Sequence, residues 1–247
     1  MAHLVAPTMG TTVSIDVRDS AIGPDVLRAA VAVLDELEAR FTTYRPDSEI
    51  RRLERGELAL EDAHPDVREV LQACAVLRME SGGAFDANRN GRLDPSGYVK
   101  GWAGERAADA LRRAGVTNFA INIGGDIVCA GGSEPDSPWR IGVRDPQDAR
   151  RIILVLGVRD GAVATSGLYE RGGHVTDGRT GEVPDQWRSI TVLAPDLATA
   201  DAIATAALAM GADGPSWAAA RFGCNVAAVD ADGSLWTSPG LEAARIA

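Results

Sequence analysis

Asp201 and Thr205 have the residue types and the spacing to bind a metal ion. They lie four residues apart in the alanine-rich segment 197–210, and on a helix that spacing places both side chains on one face. A carboxylate and a hydroxyl are hard oxygen ligands that suit Mg²⁺, although phosphate oxygens of a bound ligand would have to complete the coordination. The alternative is that both residues are polar positions on a half-exposed helix.

Lys100 is a candidate for neutralising such a phosphate. It lies in the segment Ser-Gly-Tyr-Val-Lys-Gly at 96–101, and we expect a helix to follow Lys100 and to end at Gly115. A lysine at a helix start opposes the helix dipole, but together with the free backbone N–H groups it can bind an anion. Gly97 and Gly101 would let that anion approach the backbone closely. An exposed loop lysine is the alternative.

Gly124, Gly125 and Asp126 lie at a bend within the apolar segment 119–128. One interpretation is a pocket wall in which Asp126 hydrogen-bonds a ligand. The other is a β-bulge with an aspartate that stabilises the turn. The spacing alone does not separate the two.

His174 lies in a glycine-rich segment that follows Thr165 and Ser166. A histidine in a loop can act as a general base, because its reference pKa of about 6.5 is close to the working pH. The alternative is a structural or solvated histidine. Ser166 lacks the G-x-S-x-G surroundings of a hydrolase nucleophile, and the chain contains neither a P-loop nor a Rossmann glycine motif.

The composition of the chain excludes several classes of protein. Its 247 residues are 45% hydrophobic, which is enough for one large domain, 1–247, or for two closely packed lobes. A net charge of −10 argues against a general nucleic-acid binder. Three scattered cysteines without zinc spacing fit reduced thiols. We find no secretory signal and no membrane span, so we expect a cytoplasmic protein without a membrane partner.

The hydrophobic patterns predict an α+β fold with mixed, largely antiparallel sheets flanked by helices. Helices are expected to begin at Pro24 and Pro65, with a short one after Ser48, another over 197–210 and a last one from Pro215 to Phe222. Segment 82–97 is predicted to be a loop. The predicted strands are 13–17, two within 119–128, 139–144, 151–158, 162–166 and 189–194, with a hairpin at 225–230 and 234–237.

Eight sequence stretches, in their order along the chain, resemble the ApbE family of FAD:protein FMN transferases. The stretches are Met-Gly-Thr at 9–11, Phe-Thr-Thr-Tyr at 41–44 with Ser-Glu-Ile at 48–50, Gly-Ala-Phe-Asp at 83–86, 96–101, Asn-Ile-Gly-Gly-Asp at 122–126, Thr-Ser-Gly-Leu-Tyr-Glu at 165–170, the His, Asp and Thr-Gly of 174–181, and the Ala-Asp and Thr of 200–205. The resemblance implies a Mg²⁺-dependent enzyme that cleaves the pyrophosphate of FAD. It attaches FMN through a phosphoester to a threonine hydroxyl of an acceptor protein, and AMP leaves.

The resemblance also implies roles for individual residues. Asp201 and Thr205 look like the side-chain metal ligands, and Gly97 looks like the position whose carbonyl adds a third. Lys100 and His174 are the catalytic candidates, with His174 acting on the incoming hydroxyl. Further residues are implied to contact FAD: Met9, Tyr44 against the flavin ring, Asp86, Lys100, Gly124, Gly125, Asp126, Thr165, Ser166 and Asp177.

The chain departs from the family pattern at two places. Segment 87–93 is short and polar where the family usually has a longer segment, and Asp177-Gly178 stands where Asp-Pro is usual. Two other functions stay open: an FAD pyrophosphatase that uses water in place of the threonine, and an FAD-binding protein without activity. We find no acceptor pattern of the Asp-x-x-Ser/Thr-x-Ala-Thr type in the chain, so self-flavinylation is not expected.

Overall fold

A computed structural model describes residues 1–89, 91–168, 175–220 and 224–246. The strands are β1 (Ala2–Thr8), β2 (Thr11–Val17), β3 (Asn88–Arg89), β4 (Arg92–Leu93), β5 (Phe119–Ile123), β6 (Asp126–Ala130), β7 (Trp139–Arg144), β8 (Ile152–Val158), β9 (Gly161–Gly167), β10 (Trp187–Ala194), β11 (Asn225–Asp230) and β12 (Leu235–Thr237). The helices are α1 (Pro24–Phe41), α2 (Glu49–Glu54), α3 (Pro65–Glu80), α4 (Ser96–Arg113), α5 (Leu197–Met210) and α6 (Gly214–Ala220).

One large sheet organises the molecule. Its eight strands run in the order β1-β2-β5-β6-β9-β10-β11-β12, and each neighbouring pair is antiparallel. Two small hairpins, β3–β4 and β7–β8, are also antiparallel. Among the described residues, the sheets are therefore wholly antiparallel, and the α+β prediction is confirmed.

The two faces of the sheet are covered differently. Helices α1, α3, α4 and α5 contribute to the larger apolar core on one face, and the β7–β8 hairpin packs on the other face. Neighbouring strand residues alternate between these cores, as the pleat requires: Val128 belongs to the first core and Cys129 to the second. The division into domains stays a prediction.

Local sequence signals account for most helix ends. Pro24 and Pro65 are the first residues of α1 and α3, where the missing N–H costs nothing. The carboxylate of Asp196 accepts a hydrogen bond of 2.8 Å from the Thr199 N–H and caps α5. Most of α5 is buried, as expected for a helix that is apolar on nearly all sides.

The structure differs from the predicted elements at the beginning of the chain and before α4. Strand β1 was not predicted, because as an edge strand it alternates partly buried with exposed residues. Helix α4 begins at Ser96, so Lys100 lies within the helix and does not precede it. The segment 82–97, predicted to be a loop, contains the short β3–β4 hairpin and the start of α4. In the described ranges, no helix combines the length and hydropathy needed to cross a membrane.

Candidate active site

Helices α4 and α5 are in close contact at two glycines. A Cβ atom on Gly101 would lie 2.4 Å from the carbonyl oxygen of Leu197 and 2.6 Å from Cβ of Asp201. The Gly101 N–H donates a 2.8 Å hydrogen bond to Oδ2 of Asp201. One turn earlier, a Cβ on Gly97 would lie 3.2 Å from Cγ2 of Thr205. The predicted pairing of Asp201 with Thr205 on one helix face is therefore present, and Gly101 serves helix packing, not the approach of a ligand.

Lys100 lies between two buried carboxylates. Its ammonium group forms an ion pair with Oδ2 of Asp126 and lies 3.6 Å from Oδ1 of Asp201. The side chains of Asp126 and Asp201 are only 2% and 4% exposed. Burial raises the pKa of Asp201, and Lys100 opposes that rise. When all three groups are ionised, the cluster carries one net negative charge, which burial of Asp201 disfavours and which a bound cation would offset.

Hydroxyl groups connect this cluster to strand β9. Oδ1 of Asp126 accepts a 2.9 Å hydrogen bond from the Thr165 N–H. The hydroxyls of Ser166 and Thr205 lie 2.9 Å apart, and those of Thr165 and Thr191 lie 2.8 Å apart. Ser166 and Thr205 thus place two hydroxyl oxygens on the α5 side of the sheet near Asp201, whereas Thr165 and Thr191 alternate with residues of the first core and point to the opposite face.

The donor set near Asp201 fits Mg²⁺, which prefers oxygen ligands and keeps several positions for water or phosphate. The available side-chain oxygens belong to Asp201, Thr205 and Ser166, and Gly97 is adjacent. Within the part of the chain that the structure describes, no three His, Cys, Asp or Glu side chains are grouped as a metal site. A metal at this position therefore depends on hydroxyl, carbonyl and phosphate oxygens.

Two tight turns lie side by side at one end of the main sheet. Met9-Gly10 joins β1 to β2, and Gly124-Gly125 joins β5 to β6. The Gly124 N–H donates to the carbonyl of Thr12 at 3.2 Å, and a Cβ on Gly124 would lie 2.7 Å from Oγ1 of Thr11. Gly124 and Gly125 have φ of +60° and +107°, which favour glycine. Both turns therefore lie near Asp126, the first residue of β6.

Two loops that carry predicted cofactor residues are packed together. The Gly178 N–H donates to the carbonyl of Ala84 at 2.8 Å, and a Cβ on Gly178 would lie 2.5 Å from the carbonyl oxygen of Gly83. Asp86 pairs with Arg78 at 3.0 Å. A proline at position 178 has no N–H and could not form the hydrogen bond to Ala84. Gly178, which stands where the family usually has proline, therefore makes a contact that proline could not make.

Asp177 and Phe85 anchor these loops. Arg179 donates hydrogen bonds to both carboxylate oxygens of Asp177 and holds the pKa of that group below its usual range. The Phe85 ring lies 3.1 Å from the Cβ position of Gly97. The loop that carries Asp86 therefore meets the first turn of α4, and the loop that carries Asp177 packs against the Asp86 loop.

The model of the ApbE family matches residues 9–90 and 87–229. This chain belongs to the ApbE family. The FAD:protein FMN transferase of Vibrio cholerae is 28% identical over 271 aligned positions, which cover 85% of this chain and 81% of the relative. The solved flavin transferase ApbE of Vibrio cholerae superposes with a TM-score of 0.85 at 25% identity and covers 98% of each chain.

A second solved structure, the ApbE protein of Thermotoga maritima, superposes with a TM-score of 0.88 at 23% identity. The superposition covers 100% of this chain and 99% of the Thermotoga maritima chain. It supports the fold alone. The predicted membership of the ApbE family is confirmed, and the name of the curated relative supports the predicted transferase class.

The structure brings five of the residues that the resemblance to the ApbE family implies into direct proximity. Gly97, Lys100, Asp126, Asp201 and Thr205 form one cluster. Tyr44 lies in the loop between α1 and α2 and is 92% exposed. His174 lies outside the described residues. The individual roles stay predictions.

Two contacts between polar groups were not expected from the sequence, one in this ApbE-family site and one on the opposite face of the sheet. One is the ion pair of Lys100 with Asp126, and a separation of 26 residues along the chain does not indicate such a contact. The other is the contact of Thr191, which has a buried hydroxyl, with Thr165. A polar residue inside the apolar strand 189–194 was the available signal, because buried polar groups require partners.

Proposed function

We propose that this chain transfers FMN from FAD to a threonine hydroxyl of an acceptor protein in a Mg²⁺-dependent reaction that releases AMP. Membership of the ApbE family and the name of the curated relative support the reaction class. The observation that carries the proposal is the buried cluster of Lys100, Asp126 and Asp201 beside the hydroxyls of Ser166 and Thr205. With a cation bound beside Asp201, such a cluster would suit a pyrophosphate, which needs cations and hydrogen-bond donors around it.

The reaction exchanges the phosphoanhydride bond between the two phosphates of FAD for a phosphoester bond to threonine. The threonine oxygen attacks the phosphorus on the FMN side of the FAD pyrophosphate, the P–O bond to the AMP phosphate breaks, and AMP takes the bonding electrons. The hydroxyl proton passes to a base, for which we propose His174. Little covalent machinery is required, because phosphoryl transfer depends mainly on positioning and charge neutralisation.

The metal would be held by Asp201, Thr205 and the carbonyl of Gly97. When bound, Mg²⁺ supplies charge neutralisation at the phosphate oxygens. Lys100 adds a second positive charge, and Asp126 holds the lysine in place through the ion pair. Because both carboxylates are almost fully buried, their interactions with cations are stronger than they would be in water.

The remaining residues are proposed to bind the rest of FAD. Met9, Gly124 and Gly125 form the two adjacent turns near Asp126. Asp86 and Asp177 lie on the two loops that are packed together. Tyr44 exposes its ring to solvent, where a flavin could stack against it. Thr165 lies beside Asp126 at the end of β9.

A cytoplasmic location is also part of the proposal. Cys74, Cys129 and Cys224 are free and buried, which fits a reducing compartment. Fractionation of cells that express the chain with an epitope tag, together with a periplasmic marker, tests this part directly. Recovery of the tag in the periplasmic fraction would contradict it.

The decisive experiment is incubation with FAD, Mg²⁺ and a panel of threonine-containing candidate acceptor proteins, followed by intact-mass analysis. We expect an acceptor to gain the mass of one FMN phosphoester while AMP appears in equal amount, and EDTA to stop both. Free FMN and AMP without an adduct would indicate the pyrophosphatase. Bound but unchanged FAD would indicate a protein that only binds FAD. The chain itself should gain no flavin adduct, and denaturation should release its flavin.

A further inference from the structure

Met9 has a backbone conformation that side chains rarely adopt. Its φ is +56°, and among the described residues it is the one non-glycine residue with a positive φ. Gly10 follows with φ of +65°, so both central residues of the β1–β2 turn are left-handed, as in a type I′ turn. Asn or Gly is usual at the first position of that turn, and a residue such as Met is strained there. Something in the structure must stabilise this conformation.

Glu38 of helix α1 contacts this turn. Its Oε2 accepts a 2.9 Å hydrogen bond from the Met9 N–H and lies 3.4 Å from the Thr8 hydroxyl. A hydrogen bond to an ionised carboxylate is about twice as strong as a neutral one. The turn is 29 residues from Glu38 in sequence, so this contact is tertiary and does not follow from the hairpin itself.

The strained turn lies against the candidate active site. Thr11 and Thr12, directly after the turn, contact Gly124 at the neighbouring turn. Two residues beyond Gly124, Asp126 forms the ion pair with Lys100. A change in the conformation of Met9 would therefore alter the wall that we have assigned to FAD.

We propose that Glu38 is a positioning residue, which holds Met9 in its left-handed conformation and so presents the β1–β2 turn to the flavin nucleotide. The inference rests on the proposed function, because it treats the turn as part of the FAD site. Glu38 itself does not touch the cofactor. The strained conformation of Met9 is tolerated because the Glu38 carboxylate stabilises the turn where it borders the site.

The first test measures FAD affinity by quenching of flavin fluorescence. Glu38→Ala should raise the Kd for FAD about tenfold, because the strain energy of one left-handed residue corresponds to about that change in a binding constant. Glu38→Gln keeps an acceptor oxygen for the Met9 N–H and should stay within about threefold of the parent. The matched control is Glu36→Ala, an exposed position on the same helix, which should not change the Kd. An unchanged Kd for Glu38→Ala would overturn the proposal.

A double-mutant cycle separates positioning from general support of the fold. Glycine adopts positive φ without strain, so in a Met9→Gly background the further change Glu38→Ala should alter the Kd less than about twofold. An equal tenfold loss in both backgrounds would show that Glu38 acts elsewhere and would overturn the proposal. The cycle compares affinities, so a loss of stability common to both backgrounds does not imitate the result.

Hydrogen exchange at the Met9 amide gives a readout that needs no flavin. Glu38→Ala should speed exchange of this amide, while amides in the centre of β2 keep their rates. If the parent chain binds no FAD, the proposed function is wrong, and the exchange experiment still decides whether Glu38 fixes the turn. An unchanged exchange rate at the Met9 amide would show that Glu38 does not fix the turn.

Discussion

The candidate site has a helix end and a loop end, and the two differ in how their side chains are held. The helix end comprises Gly97, Lys100, Asp126, Asp201 and Thr205, and the loop end, among the described residues, comprises Tyr44, Asp86 and Asp177. Asp126 and Asp201 are 2% and 4% exposed, whereas Tyr44 is 92% exposed. Packing fixes the helix end before any ligand binds. Substitutions there should change stability and activity together. At the loop end, Asp86 and Asp177 are 13% and 14% exposed and are paired with arginines, so the substitution expected to change affinity alone is that of Tyr44.

The largest effect is expected for Asp201→Ala at the helix end. Removal of the proposed metal carboxylate should lower Mg²⁺-dependent turnover by about 10⁴-fold or more. Asp201→Asn should fail as well, although its amide oxygen can still accept from the Gly101 N–H. Release of AMP from FAD measures both variants, and Asp232→Asn, in an exposed turn, is the control. Turnover at the parent rate in either variant would show that the metal assignment is wrong.

His174→Ala tests a candidate that lies outside the described residues. If His174 is the general base, turnover should fall roughly 10²–10⁴-fold, while the Kd for FAD and the melting temperature stay unchanged. His3→Ala, on the exposed edge strand β1, is a matched control. A Kd that rises in proportion to the lost turnover would make His174 a cofactor ligand, and Asp177 would become the next candidate for the base.

Lys100→Met sharpens the distinction between stability and activity at the helix end. The change keeps the aliphatic chain but leaves two buried carboxylates without their cation, which should lower the free energy of unfolding by about 3 kcal/mol. Turnover should fall roughly 10²-fold. Urea unfolding measures the first effect. Adding Asp126→Asn to Lys100→Met should restore most of the stability and none of the activity. If Lys100→Met leaves the free energy of unfolding unchanged, this ion pair does not hold the helix end.

Tyr44→Ala should give the smallest effect. The ring is 92% exposed, so the melting temperature should not change. Loss of stacking should weaken FAD binding by about three- to tenfold, and Tyr44→Phe should retain the parent affinity. An equal Kd for all three proteins would remove Tyr44 from the site.

The fold was predictable where the signals are local. Pro24 and Pro65 begin helices, Ser48 caps α2 through the Arg51 N–H, and the Gly124-Gly125 bend separates β5 from β6. Each of these features is decided within a few residues of sequence. Strand β1 was missed because an exposed edge strand has a weak hydrophobic pattern.

The candidate site was predictable in its residue types and less so in its geometry. The Asp201 and Thr205 pair follows from helical spacing. The start of α4 was misplaced because Gly97 and Gly101 were attributed to ligand approach, whereas both face α5. The ion pair of Lys100 with Asp126 and the contact of Glu38 with Met9 join distant segments. Spacing along a chain carries no information about such contacts.

The hydrogen bond from Gly101 to Asp201 spans 100 residues, and the Asp126 contact with Thr165 spans 39. Contacts between distant segments form slowly during folding, because long loops must close before the contacts stabilise the chain. On the ribosome, the helix end cannot assemble until α5 has emerged. During refolding from denaturant, recovery of FAD binding is therefore expected to lag behind the far-ultraviolet circular dichroism of the helices.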